Sequence, residues 1–161
     1  MPFSFAPWSG EQPKVLILGS MPGAESLKQQ AYYAYKYNRF WKILYRFFGG
    51  EYSEKTEDRK GFAESVGVAL FDVFKFCERE NSSLDSKIKN EEPNDIDSFL
   101  AAHPSVKGII LNGKKAAEGF FKFFPHIEIE SCVLPSTSPA NASKSFDELY
   151  AEWASVLKKF F

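Results

Sequence analysis

Four consecutive apolar residues, Val15-Leu16-Ile17-Leu18, lie between Pro13-Lys14 and Gly19, and nothing polar interrupts them. A run of this length with no alternation reads as a strand covered on both faces, which is the habit of a parallel sheet flanked by helices. Gly19-Ser20-Met21-Pro22-Gly23 then turns the chain sharply. Such a turn either serves the fold alone or brings backbone N–H groups close to an anionic or planar ligand.

The rest of the chain repeats the alternation. The spacing predicts a strand over 14–19, a short helix over 24–31, a helix from Asn38 to Phe48 stopped by Gly49-Gly50, and a polar helix over 54–66. A second strand over 67–71 ends on Asp72, a third over 107–111 ends on Asn112-Gly113, and a fourth over 127–133 runs into Leu134-Pro135-Ser136-Thr137-Ser138-Pro139-Ala140-Asn141. Helices follow at Asn94 with Asp97, at 114–124 and after a capping box of Ser145 with Glu148. Residues 77–93 are polar and unpatterned and read as a surface loop. The expectation is an α/β fold, a three-layer α/β/α sandwich with a mostly parallel sheet of about four strands. One domain over 1–161 suits the length, with 1–13 as an irregular arm whose Phe3, Phe5 and Trp8 pack on it.

In such sheets the ligand sits beyond the carboxyl ends of the strands. That rim carries Ser20, Met21, Pro22 and Gly23, then Asp72, then Asn112, then the loop 134–141. Beside it, Tyr32, Tyr33, Tyr35 and Tyr37 precede Asn38. Lys28, Lys36, Arg39, Lys42 and Arg46 are interspersed, and no acid occurs from Ser26 to Gly50. Aromatics among cations suit a surface that stacks bases and neutralises phosphates. Phe40, Trp41, Leu44 and Phe48 recur at helical spacing and read as core.

Composition narrows the chemistry. A net charge of −1 is not the footprint of a strong non-specific nucleic-acid binder, although acids in 51–64 and 91–97 leave room for one basic face. Cys77 and Cys132 are too few for a cluster or a structural zinc, and neither His103 nor His126 belongs to a ligand pattern, so no metal and no cofactor are expected. No run approaches a membrane span and no leader pattern opens the chain, so a soluble, cytoplasmic protein is expected, and a monomer.

The rim lacks a nucleophile paired with a base, lacks the GK[ST] ending of a P-loop and lacks the GxGxxG spacing. Amides, one carboxylate, hydroxyls and aromatics remain, a set suited to reading a planar lactam such as a nucleobase. The amide of Asn38 or Asn112 can meet an adjacent C=O and N–H at once. Ionised Asp72 only accepts, so it favours a base presenting N–H over one presenting a lone pair. Without a nucleophile, the reaction open to this pocket is cleavage of the bond to the sugar, with charge stabilised on the departing base while water attacks.

The runs GSMPGAESL, YYAYKYNRFWKIL, GVALFDVF, GIILNG and LPSTSPANA, in that order, resemble the uracil-DNA glycosylase superfamily, most closely its hypoxanthine-DNA glycosylase branch. The resemblance implies a flipped base held at the strand ends, no cofactor, monofunctional release of the base, and DNA carrying a deaminated base as partner. Met21 stands where mismatch-specific members carry a catalytic asparagine, and the hypoxanthine branch places that role at Asn38. Asn112 is similar to a second functional position, Tyr33 to the aromatic that stacks on the flipped base, and Asp72 to a base-reading asparagine. Ser136, Thr137, Ser138, Pro139, Ala140 and Asn141 resemble the loop that pinches the backbone and fills the vacated stack, with Leu134 in place of its usual histidine. Two alternatives stand beside this reading: a mismatch-specific uracil or thymine glycosylase, and a non-catalytic module that binds nucleotides or DNA through the same rim.

Overall fold

The computed structural model describes residues 5–79 and 88–161, with side chains described outside 76–90. β1 (Val15–Gly19) is buried at every position, as its unbroken apolar run requires. It lies between β2 (Val68–Asp72) and β5 (Gly108–Asn112), parallel to both, and β5 pairs in parallel with β6 (Glu130–Leu134). The four-stranded sheet therefore runs β2-β1-β5-β6, with the apolar run of 15–18 in an interior strand.

Successive side chains of a strand point to opposite faces, and the core divides accordingly. Val15, Ile17, Val68, Leu70 and Ile110 join one cluster with side chains of α2 (Phe40–Phe48), α3 (Thr56–Ser65) and α6 (Phe146–Leu157). Leu16, Leu18, Ala69, Phe71, Ile109 and Leu111 join another with α4 (Ile96–Ala102) and α5 (Lys114–Phe123). Each fully buried Leu or Ile contributes about 1.5–3 kcal/mol relative to exposure, so neither face is dispensable. This is the expected three-layer arrangement, and its sheet is wholly parallel.

Helix ends follow local chemistry. Gly49 adopts φ +79° and closes α2 with its N–H on the Tyr45 carbonyl. The box of Ser145 and Glu148 opens α6. The short helix α1 (Ala24–Gln29) stops earlier than expected because Gln30 turns left-handed, at φ +53°.

Four further expectations are corrected. Asn94 does not cap α4: Asp95 does, accepting from the Ser98 N–H, while the Asn94 amide donates to the Asp72 carbonyl at 2.8 Å. α2 begins at Phe40 rather than Asn38, because the chain is still turning at Asn38. β6 starts at Glu130, three residues late, after a turn at 125–126. Finally, the stretch read as a loop contributes strands: β3 (Phe74–Arg79) pairs antiparallel with β4 (Ile88–Pro93), with register irregularities near Phe76. Phe74 at its start is buried in the core, but the rest of the ribbon is rich in charge, so its sequence shows no apolar alternation. Residues 80–87 of that stretch, and Phe3, lie outside the described residues.

The arm packs as expected where it is described. Trp8 is buried and exchanges two backbone hydrogen bonds with Leu70, each 2.9 Å, along the outer side of β2.

Candidate active site

The carboxyl ends of β1, β2, β5 and β6 open into one cleft of about 1490 Å³. Gly19 to Gly23, Tyr33, Asn38, Asp72, Asn112 and the whole of 134–141 line it. Every rim residue singled out from the sequence therefore borders the same space.

At its floor, β1 ends on a residue without a side chain. A Cβ on Gly19 would lie 2.6 Å from Asp72 Oδ1 and 3.1 Å from the Tyr33 hydroxyl. Glycine is thus what allows a carboxylate oxygen and a phenol oxygen to converge over the strand end. Asp72 is 3% exposed, and its place is fixed from both sides. The Val73 and Phe74 N–H groups donate to the Gly19 and Ser20 carbonyls at 2.8 and 3.0 Å, and Asn94 holds the Asp72 carbonyl. Beneath, the Tyr32 phenol donates to the Ala6 carbonyl at 3.0 Å. Burial above all, then the negative charge of Asp72, holds that phenol far above the usual tyrosine range. Tyr32 is consequently a neutral donor that braces the floor.

Tyr33 takes a left-handed backbone, φ +55°, unusual for a bulky residue. Its ring lies on Phe40 at 4.1 Å between centroids with 26° between planes. Phe40 is wholly buried and meets Trp41 and Trp153 edge-on. Tyr33 therefore presents a stiffly backed platform to the cleft.

Asn38 closes a turn, its N–H bonded to the Tyr35 carbonyl at 2.9 Å. Its Oδ1 accepts from the Phe40 N–H at 2.9 Å, which fixes which end of the amide is oxygen. Asn38 thus does cap α2, from one residue outside the usual position, and its amide is oriented in the process. The same turn carries Tyr35 and Tyr37, 48% and 59% exposed, packed edge-on at 5.5 Å with Lys36 Nζ 4.8 Å from the Tyr37 ring centre.

Asn112 and the loop form a second constellation. Asn112 Nδ2 donates to Thr137 Oγ1 and Asn112 Oδ1 accepts from the Thr137 N–H, both at 3.1 Å. Both residues are buried, so this pair fastens the loop to β5. Gly113, at φ +97°, admits Ser136, whose Cβ would be 3.1 Å from a Cβ placed there. Trp153 Nε1 donates to the Pro135 carbonyl at 3.0 Å. Asn141 Nδ2 bonds the Ser136 carbonyl, and Ser138 and Ala140 N–H groups bond the Ser136 and Ser138 hydroxyls. Pro139 and Ala140 form the exposed tip. Met21, by contrast, is buried in the cluster that includes Leu18 and Val73.

The basic block is not one phosphate-facing surface. Arg39 binds loop carbonyls, and Arg46 stacks 4.0 Å from the Tyr150 ring centre and pairs with Asp147 at 3.2 Å. Charge counting could not distinguish these from Lys28, Lys36 and Lys42. At the cleft itself, Lys115 pairs with Glu91 and Lys144 with Glu152, and Lys114 borders the opening. Among the described residues no three His, Cys, Asp or Glu side chains are grouped as metal ligands, and no helix is long and apolar enough to cross a membrane.

This arrangement has relatives. The sequence profile of the Uracil DNA glycosylase superfamily matches residues 7–158. A hypoxanthine DNA glycosylase of Methanosarcina acetivorans is 35% identical over 149 residues, 92% of each chain. One from Methanosarcina barkeri is 33% identical over 156 residues, 96% of this chain and 97% of that one. The solution NMR structure of a candidate uracil DNA glycosylase from Methanosarcina acetivorans superimposes with a TM-score of 0.81 at 34% identity, covering 97% of this chain and 96% of its own. A profile match over nearly the whole chain, relatives above 30% identity over at least 92% of their length, and the shared fold make this chain a member of the uracil DNA glycosylase superfamily, and a DNA glycosylase.

Proposed function

We propose that the cleft receives a deaminated purine flipped out of DNA, and that the enzyme hydrolyses the N-glycosidic bond of deoxyinosine to release hypoxanthine. The observation that carries this reading is the convergence of Asp72 Oδ1 and the Tyr33 hydroxyl over Gly19, in the cleft that Asn38 borders. The names of the two Methanosarcina relatives support the choice of base.

Hypoxanthine differs from adenine in presenting a ring N–H beside a carbonyl, where adenine presents a lone pair beside an amine. A buried carboxylate accepts the first and repels the second, so Asp72 selects for deamination. Tyr33, backed by Phe40, supplies the stacking surface. One lone pair of Asn38 Oδ1 holds Phe40, and the other accepts from water and orients it toward the sugar C1′. The water oxygen bonds C1′ as the C1′–N9 bond breaks, the electron pair leaves with the base, and the proton of water passes to the purine. The products are free hypoxanthine and an abasic site. Asn112, engaged at both ends of its amide, acts by holding the loop of 135–141 rather than by touching the base. The exposed Tyr35, Lys36 and Tyr37 suit flanking nucleotides, with rings for bases and an ammonium for phosphate.

The test is a gel assay of alkali-induced cleavage on single- and double-stranded oligonucleotides carrying one hypoxanthine, uracil, xanthine or mismatched thymine. Product on hypoxanthine, reduced at least about 10²-fold by Asn38→Ala, is expected. Preference for uracil or mismatched thymine would transfer the assignment to the mismatch-specific branch. Binding without product on any lesion would leave a nucleic-acid-binding module.

A further inference from the structure

Arg39 makes a set of contacts that neither phosphate binding nor helix formation calls for. Its Nη2 donates to the Ser138 and Asn141 carbonyls, both at 2.9 Å, its Nη1 to the Lys144 carbonyl at 3.0 Å, and its Nε leans on the Thr137 carbonyl at 3.4 Å. Its backbone N–H also donates to Thr137, at 3.1 Å. One residue thus gathers four carbonyls from a segment about a hundred positions away in sequence.

The division of labour along that segment is informative. Asn112 and Trp153 hold its near end, at Thr137 and Pro135. Arg39 holds the far end, on both sides of the exposed Pro139-Ala140 tip. A guanidinium is a rigid planar fork, so it sets the angles between these peptide groups as well as their distances. Carbonyls drawn inward also take the negative ends of their dipoles away from the face that a phosphate would approach. All four side-chain partners are neutral, so the unit charge persists at the loop. Arg39 is, in addition, peptide-bonded to Asn38, whose oxygen is fixed one residue further on by Phe40.

We propose that Arg39 is a positioning residue that joins the loop of 135–144 to Asn38, so that seating the loop on a duplex and presenting Asn38 to the flipped nucleotide are one event. The proposal rests on the glycosylase reading for its second half only. Displacing the loop pulls the Arg39 N–H through Thr137, and the Asn38 amide moves with it. Single-stranded substrate needs no stack to be filled, so it depends on Asn38 but not on the tip.

Arg39→Lys keeps the charge and loses the fork, and Arg39→Gln loses both. Steady-state kinetics on single- and double-stranded deoxyinosine oligonucleotides separate the effects. For Arg39→Lys we expect kcat to fall about tenfold on both substrates and KM to rise about tenfold on duplex alone. Backbone amide hydrogen exchange at Ser138, Ala140 and Asn141 should quicken at least tenfold, with thermal midpoint within a few degrees of wild type. Equal losses on both substrates, or kinetics like wild type, would overturn the coupling. Should Arg39→Gln not fold, the lysine variant carries the test by itself. If the wild type cleaves no lesion, the glycosylase reading fails separately. Amide exchange, together with fluorescence anisotropy on a duplex holding a tetrahydrofuran abasic analogue, then decides the loop half. Unchanged exchange and unchanged affinity in Arg39→Lys overturn it, and faster exchange with at least fivefold weaker binding upholds it.

Discussion

At Asn38 two duties fall on one amide, and substitution can divide them. Its oxygen opens α2 by accepting from Phe40. Asn38→Asp keeps an oxygen there and should leave the thermal midpoint nearly unchanged, whereas Asn38→Ala should lower stability by about 1 kcal/mol. Both should cut kcat by about 10² or more, since neither preserves the neutral amide, so paired melting and rate measurements separate cap from catalysis. Gly19 makes a complementary case. A methyl group there would fall 2.6 Å from Asp72 Oδ1, so Gly19→Ala should cost about 1–3 kcal/mol and at least tenfold in kcat/KM. A substrate series should show weaker discrimination between hypoxanthine and adenine. That Tyr33, Asn38, Asp72 and Asn112 border one cleft was legible in the sequence, because each marks a strand end or the turn before an aromatic helix. What Arg39 and Asn112 hold was not. Their meaning lies in partners 98 to 105 and 25 residues away, and a residue type carries no record of such partners.

Among elements, the loop after β6 depends on β5 more than on its own prolines. Thr137 is 1% exposed, and Asn112 serves both its N–H and its hydroxyl. Asn112→Ala strands those groups and should lower stability by about 1–3 kcal/mol, measurable by urea unfolding, while raising KM more than it lowers kcat. A different tie joins the β3–β4 ribbon to α5. Lys115 Nζ lies 2.9 Å from Glu91 Oε1, and this hydrogen bond is the main cause that holds the Glu91 carboxyl below its usual range. A depressed carboxylate stabilises the fold above its unfolded value, near pH 4.3, and loses that contribution as pH falls further. Both partners are about one-fifth exposed, so the effect is modest. Glu91→Gln should remove about 0.5–1 kcal/mol at pH 7 and flatten the pH dependence of unfolding below about pH 4.3. That ribbon was also the element least legible in advance. β1, β2 and β5 announce themselves through buried apolar runs, and α2 and α6 through helical spacing. A two-stranded ribbon rich in charge, IKNEEP on one side, leaves no apolar period to read.

Across the whole molecule, two apolar clusters sandwich a parallel sheet, and the candidate site lies at one end of it. That division was the most legible property of all, because it follows from alternation along the strands and needs no knowledge of any contact. The lateral margin of the sheet is another matter. β2 is its outermost strand on one side, and an outermost strand offers unpaired N–H and C=O groups to any other chain. Here Trp8 doubles back and exchanges both its backbone bonds with Leu70. The arm is therefore more than packing for the core, since it withholds a template on which neighbouring molecules could pair strand to strand. A chain shortened to begin after Trp8 also loses the Ala6 carbonyl that holds Tyr32, so it should melt earlier as well as scatter light increasingly with concentration, and the arm would then count as a safeguard of solubility in a crowded cell.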